Sequence, residues 1–112
     1  MDNAATFPEP PYYCVVFTSL LNLQHKDYAA MSDKIVALAE QQPGFIHLES
    51  ARSTEGTGIT VSYWNDEASI LAWKANLEHL QAQKIGRDKW YKQYSVHISQ
   101  VQRAYHFNSE MV

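Results

Sequence analysis

The run from Ile59 to Trp73 constrains the fold more than any other part of the chain. Ile59-Thr60-Val61-Ser62-Tyr63-Trp64 is rich in β-branched and aromatic residues, which suit a pleated, packed surface, so it reads as a strand. The chain then drops through Asn65-Asp66-Glu67. Asn65 is placed to cap a helix, and the two carboxylates suit the positive end of its dipole. Beyond them Ile70, Trp73, Leu77 and Leu80 fall 3, 4 and 3 apart, one apolar stripe of a helix reaching Gln83.

The other segments supply partners for this strand–helix unit. Tyr12 to Leu21 reads as a first strand whose apolar side chains occupy both parities, Tyr13, Val15 and Phe17 against Cys14 and Val16, which calls for cover on both faces. From His25 to Gln42 the positions Tyr28, Met31, Ile35, Leu38 and Ala39 keep helical spacing, and Pro43-Gly44 stops that helix. Phe45 to Arg52 and Thr57 to Trp64 read as strands joined by a hairpin through Ser53-Thr54-Glu55-Gly56. Gly86 ends the second helix, Arg87 to Tyr91 reads as a further helical turn, and Tyr94 to Phe107 as a long last strand.

In that last strand Val96 and Ile98 are even while Val101, Tyr105 and Phe107 are odd, so a bulge is expected near Ser99-Gln100. The order β-α-β-β-α-β is the ferredoxin-like α+β arrangement with an antiparallel sheet. Residues 1–11, with Pro8, Pro10 and Pro11, read as an extended N-terminal arm. Residues 12–107 form the domain and 108–112 a tail.

A chain of 112 residues, 46% apolar and 19% charged, fits one ordinary globular domain. The net charge of −3, with no basic face, gives no footprint for nucleic acid. No apolar run approaches the roughly 20 residues of a membrane span, and no basic segment precedes an apolar stretch at the N-terminus. A lone Cys14 fits a reducing compartment, so the cytoplasm is the expected location. Two helices on one sheet face leave the other face bare, and a two-fold pair of sheets would cover it, so a homodimer is expected.

Several residues could carry chemistry. Trp64 and Trp73 could wall a pocket for a flat aromatic molecule, or simply pack the core. Asn76, His79 and Gln83 form a polar seam along the second helix, either overlooking a pocket or facing water. Arg87, Trp90, Tyr91 and Tyr94 form an aromatic, basic cluster that could close a pocket or complete the core. Glu49 and Arg52 could pair with Arg103 or with a partner subunit. The histidines show no HxH or HExxH spacing, so no metal site is expected; an approach of His47 to His97 across neighbouring strands is the one weak candidate. Cys14 is expected to be an inert buried thiol.

The strand ending in Trp64, the acidic helix start and Trp73 nine residues on resemble the antibiotic biosynthesis monooxygenase (ABM) family. Glu78-His79, Gln83, Gly86-Arg87, Trp90-Tyr91 and Arg103-Ala104-Tyr105 resemble a subgroup of small uncharacterised ABM-like proteins. The resemblance implies a dimeric α/β barrel and a monooxygenase that oxidises a small aromatic substrate with dioxygen and no bound redox cofactor. In that reading Trp64, Trp73, Arg87, Trp90 and Tyr91 bind substrate, His79 takes a proton, and Asn76 and Gln83 hold an oxyanion. The haem-degrading branch shares the two tryptophans but carries an axial histidine about ten residues after the second, where this chain has Gln83. Haem binding or degradation is therefore the alternative, and a non-enzymatic ligand-binding or stress-response dimer is the third.

Overall fold

The structure is a computed structural model, and it describes residues 6–22, 28–84 and 91–111. We number its elements in chain order: β1 (Tyr12–Leu21), α1 (Tyr28–Glu40), β2 (Phe45–Arg52), β3 (Thr57–Trp64), α2 (Glu67–Lys84) and β4 (Tyr91–Val101). They form the expected β-α-β-β-α-β order, with one antiparallel sheet in the strand order β2-β3-β1-β4.

The ladders decide which face each side chain occupies, because residues directly opposite one another point the same way. Trp64 lies opposite Tyr13, which lies opposite Gln100; Thr60 lies opposite Phe17, which lies opposite Val96. These residues share the face on which α1 packs against β2 and α2 against β3. The other face carries Cys14, Val16, Thr18, Ile59, Val61 and Tyr63. β1 is central in the sheet, between β3 and β4.

Two bulges set these phases. Ile46 is the extra residue where Phe45 opposes Trp64 and His47 opposes Tyr63, and Lys92 is the extra residue where Leu21 opposes Tyr91 and Leu20 opposes Gln93. The bulge expected near Ser99-Gln100 is absent, since the β1–β4 register runs unbroken there. The change of parity that suggested it has a simpler cause. Val96 and Ile98 face the helices, Val101 faces the other side opposite Tyr12, and the strand ends at Val101 rather than at Phe107.

Other local expectations are corrected as well. The cap of α2 is Asp66, not Asn65: its Oδ1 accepts from the Ser69 amide and from the Ser69 hydroxyl, each at 2.8 Å. Those two bonds, the amide first, hold the Asp66 carboxyl below the ordinary aspartate range. The N-terminal arm is docked at Phe7, whose ring stacks on His106 at 5.1 Å and meets Tyr63 edge-on at 5.1 Å. Under this cluster Tyr12 is buried on the helix-free face. The start of α1 at His25 lies outside the described residues.

Gly44 ties the two halves of the chain together. Its φ of +85° is a conformation that side chains rarely adopt, and its carbonyl accepts from the Asn65 amide at 2.8 Å. A Cβ at this position would run into the Ser69 side chain in the first turn of α2. Glycine therefore lets the α1–β2 turn touch the start of α2. Gly44→Ala should cost about 2 kcal/mol or more from the backbone and the clash together. Denaturant unfolding of Gly44→Ala and of Gly44→Ala/Ser69→Ala checks this, the second variant recovering the clash but not the backbone cost.

Candidate active site

Two regions of the helix-bearing face differ in cover. Over β2 and β3 the helices close a core of Ala39, Trp64, Ile70 and Trp73, with Phe45, Leu48 and Leu77 against it. Trp64 is completely buried; its ring stacks on Trp73 at 5.9 Å and 26°, and Phe45 meets it edge-on at 5.4 Å. Its Nε1 donates to Ser62 Oγ at 2.9 Å, so the indole N–H is already satisfied within β3. These two tryptophans thus form the packing between sheet and α2.

On the same face the exposed positions among the described residues lie on β4, at Tyr94, Val96 and Ile98, while Ser19 of β1 and Tyr91 are buried. Phe17, Tyr91 and Tyr94 form an aromatic cluster, Phe17 lying 5.4 Å from Tyr91 and 5.5 Å from Tyr94. Val96 and Ile98 continue this row towards Gln100 and are about half exposed. An open depression lies against Tyr91, Lys92, Gln93 and Tyr94. At the Tyr94 end, Ser19 lies opposite Tyr94 and receives Arg52 Nη2 on its Oγ at 2.7 Å. The Arg52 guanidinium lies over Gly58, in space that any Cβ there would take, and Nη1 also donates to the Gly56 carbonyl. At the other end Gln100 donates to Tyr13 Oη at 3.4 Å. The result is an apolar, aromatic strip with hydroxyls and one guanidinium at its margin, suited to a flat, electron-rich molecule.

The polar seam of α2 lies elsewhere. Asn76 Nδ2 donates to Gln42 Oε1 at 3.1 Å and to the Ala72 carbonyl at 3.0 Å, joining α2 to the end of α1. His79 is exposed, and nine residues after Ile70 it lies half a turn away from that buried side chain. Of the two readings of the seam, overlooking a pocket or facing water, His79 takes the exposed side of α2 in this chain. The side chain of Gln83 and the residues Arg87 and Trp90 lie outside the described residues. Tyr91 is buried, in the first position of β4 rather than in a helical turn.

Three lesser expectations change as well. Arg52 engages Ser19 and Gly56 instead of Arg103, while Glu49 pairs with His47 at 3.7 Å. His47 and His97 sit on opposite edge strands of the sheet, with two strands between them, and cannot share an ion within one chain. Cys14 is half-buried and within 3.1 Å of Ser99 Oγ on the helix-free face. Burial first, with Glu49 next, pushes the Tyr63 phenol on that face up. Phe17 and Arg52 are the strip residues whose place sequence reasoning missed, whereas Tyr91 and Tyr94 were read as one aromatic cluster; a strand with apolar residues on both parities was the signal for Phe17.

Stability separates the core from the strip. Trp64→Ala should cost about 3–5 kcal/mol, whereas His79→Ala should stay within about 0.5 kcal/mol of wild type. Urea unfolding followed by circular dichroism measures both.

Comparison with known proteins agrees with this architecture. The family model for antibiotic biosynthesis monooxygenase matches residues 22–85. The uncharacterized protein YqjZ of Bacillus subtilis is 42% identical over 103 residues, covering 92% of this chain and 90% of that protein. Jasmonate monooxygenase ABM of Pyricularia oryzae is 33% identical over 60 residues, 52% of this chain and 28% of its own length. Among solved structures, SnoaB, a cofactor-independent oxygenase from Streptomyces nogalater, superposes with a TM-score of 0.68 at 12% identity, covering 85% of this chain and 97% of SnoaB. With a domain model spanning α1 to α2 and a relative matched along nearly its whole length, the chain belongs to the antibiotic biosynthesis monooxygenase family.

Proposed function

We propose that this protein is a cofactor-independent monooxygenase acting on a small, flat, electron-rich aromatic substrate that arrives ionised. The observation that carries the reading is the aromatic cluster of Phe17, the buried Tyr91 and the part-exposed Tyr94 beside the Trp64–Trp73 core, with Arg52 at its margin. The family and the cofactor-independent relative SnoaB support it.

The chemistry balances without an external reductant. An ionised phenol of the anthrone type gives electrons to dioxygen, one oxygen atom enters the ring carbon as a carbonyl, and the other leaves as water with the two hydrogens of that carbon. The protein then needs to hold the ring flat, favour the anion and keep water from the reacting carbon. The aromatic rings serve the first task and the Arg52 charge the second. Because His79 faces away from the sheet, a substrate acidic enough to ionise in solution fits better than one needing an imidazole base. Asn76, Gln83, Arg87 and Trp90 remain proposals as substrate contacts at the end of α2 and beyond. For the haem alternative the residues do not fit: the expected ligand position holds Gln83, and His79 lies on the outer side of α2. We also propose that the protein acts as a homodimer joined through the helix-free sheet face, where Val16, Val61 and Ile59 sit with no helix over them among the described residues.

Oxygen uptake with anthrone-type phenols, in buffer treated with chelator, tests the activity. Uptake above the uncatalysed rate is expected, and Phe17→Ala or Tyr94→Ala should each lower kcat/KM by about tenfold, the upper range for one aromatic contact. No uptake above background across the set would sink the reading.

A further inference from the structure

We propose that Gly58 is a specificity-determining residue: lacking a side chain, it seats the Arg52 guanidinium on the helix-bearing face, where the charge selects an anionic ring over a neutral one. Such a role rests on the functional reading above, since only a ligand on the strip would meet the charge. Gly58 has no conformational reason to be glycine. It lies inside β3, paired with Ser19 on one side and Arg52 on the other. Its φ lies outside the left-handed region that favours glycine, unlike those of Gly44 and Gly56. Glycine inside a strand weakens it and marks a close approach by another group. Here the group is a guanidinium: a Cβ at position 58 would stand 2.6 Å from Arg52 Nη2 and 2.7 Å from Nη1.

The seat holds the guanidinium at two points. Nη1 donates to the Gly56 carbonyl in the hairpin, and Nη2 donates at 2.7 Å to the hydroxyl of Ser19, a buried residue of β1. Arg52, Gly58, Ser19 and Tyr94 form one row across all four strands, each lying opposite the next. Neighbouring strands are about 4.8 Å apart, so the group bonded to Ser19 stands about one strand spacing from Tyr94. Phe17 lies two residues along β1 on the same face, with its ring 5.5 Å from that of Tyr94. A ring laid on Phe17 and Tyr94 would hold an anionic oxygen within about 5–7 Å of the charge, close enough for attraction to favour it. Arginine stays charged at every working pH, so position 58 decides where the charge sits and not whether it exists. In Gly58→Ala the methyl group takes the seat. The guanidinium, the far end of a flexible side chain, then leaves the sheet while β3 keeps its backbone.

Calorimetric titration with naphthalene-2-carboxylate and its neutral isostere naphthalene-2-carboxamide, at low salt, reads the charge preference as a ratio of two affinities. Wild type should favour the carboxylate by about tenfold, the size of one charge pair at that range. Gly58→Ala and Arg52→Gln should each bring the ratio to about one and leave the amide affinity within about twofold. The double variant Gly58→Ala/Arg52→Gln should match Arg52→Gln alone, because the glycine acts through the arginine. Arg52→Lys tests the same point without touching β3. It keeps the charge but not the fork that spans Ser19 and Gly56, and most of the preference should go with the fork. A wild-type ratio retained in Gly58→Ala or in Arg52→Lys overturns the role, even where both ligands bind more weakly. Equal binding of the two ligands by wild type also overturns it and leaves the functional reading standing. If wild type binds neither ligand, the functional reading fails and the role falls with it.

Discussion

The stack of Trp64 on Trp73 is the interaction on which the rest of the structure depends. It joins the last residue of β3 to the middle of α2, nine residues later, and so fixes how the helix lies on the sheet. A buried indole carries a polar N–H that must find a partner, and Ser62, two residues back on the same strand face, supplies it. The core then gathers Phe45, Ile70 and Ala39 around these rings. The Asp66 cap and the Gly44 contact position the start of α2 from outside the core, one by hydrogen bonds and the other by allowing a close approach.

That packing also determines where a site can be. With α1 on β2 and α2 on β3 among the described residues, Tyr94, Val96 and Ile98 of β4 are left part-exposed on the same face. In the proposed reading the binding surface lies beside the core instead of within it. Trp64 and Trp73 shape one wall by holding α2 in place, while Phe17 and Tyr94 provide the surface itself. The Arg52 side chain, folded over Gly58 and bonded to Ser19, adds positive charge at the margin. Glycine at position 58 is what leaves room for the guanidinium on that face.

The sequence carried the element order clearly, because each strand and helix announced itself by period, and Pro43-Gly44 and the Ser53–Gly56 hairpin marked the boundaries around β2 and β3. The bounds of β2 and β3 coincide with those read from the chain, since alternation and hairpin residues mark both ends. Ladder register was hidden. The Ile46 and Lys92 bulges depend on which residue of a neighbouring strand lies opposite, and nothing local records that. The end of β4 was misplaced for the same reason: Tyr105 and Phe107 have strand-like composition but no neighbouring strand to pair with. His79 shows the limit of polar-seam reasoning. Its spacing from Asn76 placed both on one side of α2, but only the position of Ile70 and Trp73 against the sheet reveals that this side faces outward.

The central claim is that ligand chemistry belongs to the helix-bearing face of β1 and β4. Titration of isotopically labelled protein with 2-hydroxy-1,4-naphthoquinone, followed by methyl and aromatic NMR resonances, tests it most directly. Saturable shifts at Val96, Ile98, Phe17 and Tyr94, with Val16 and Val61 unmoved, are the expected result. Shifts centred on Val16 and Val61, or on His79 at the outer side of α2, would contradict it.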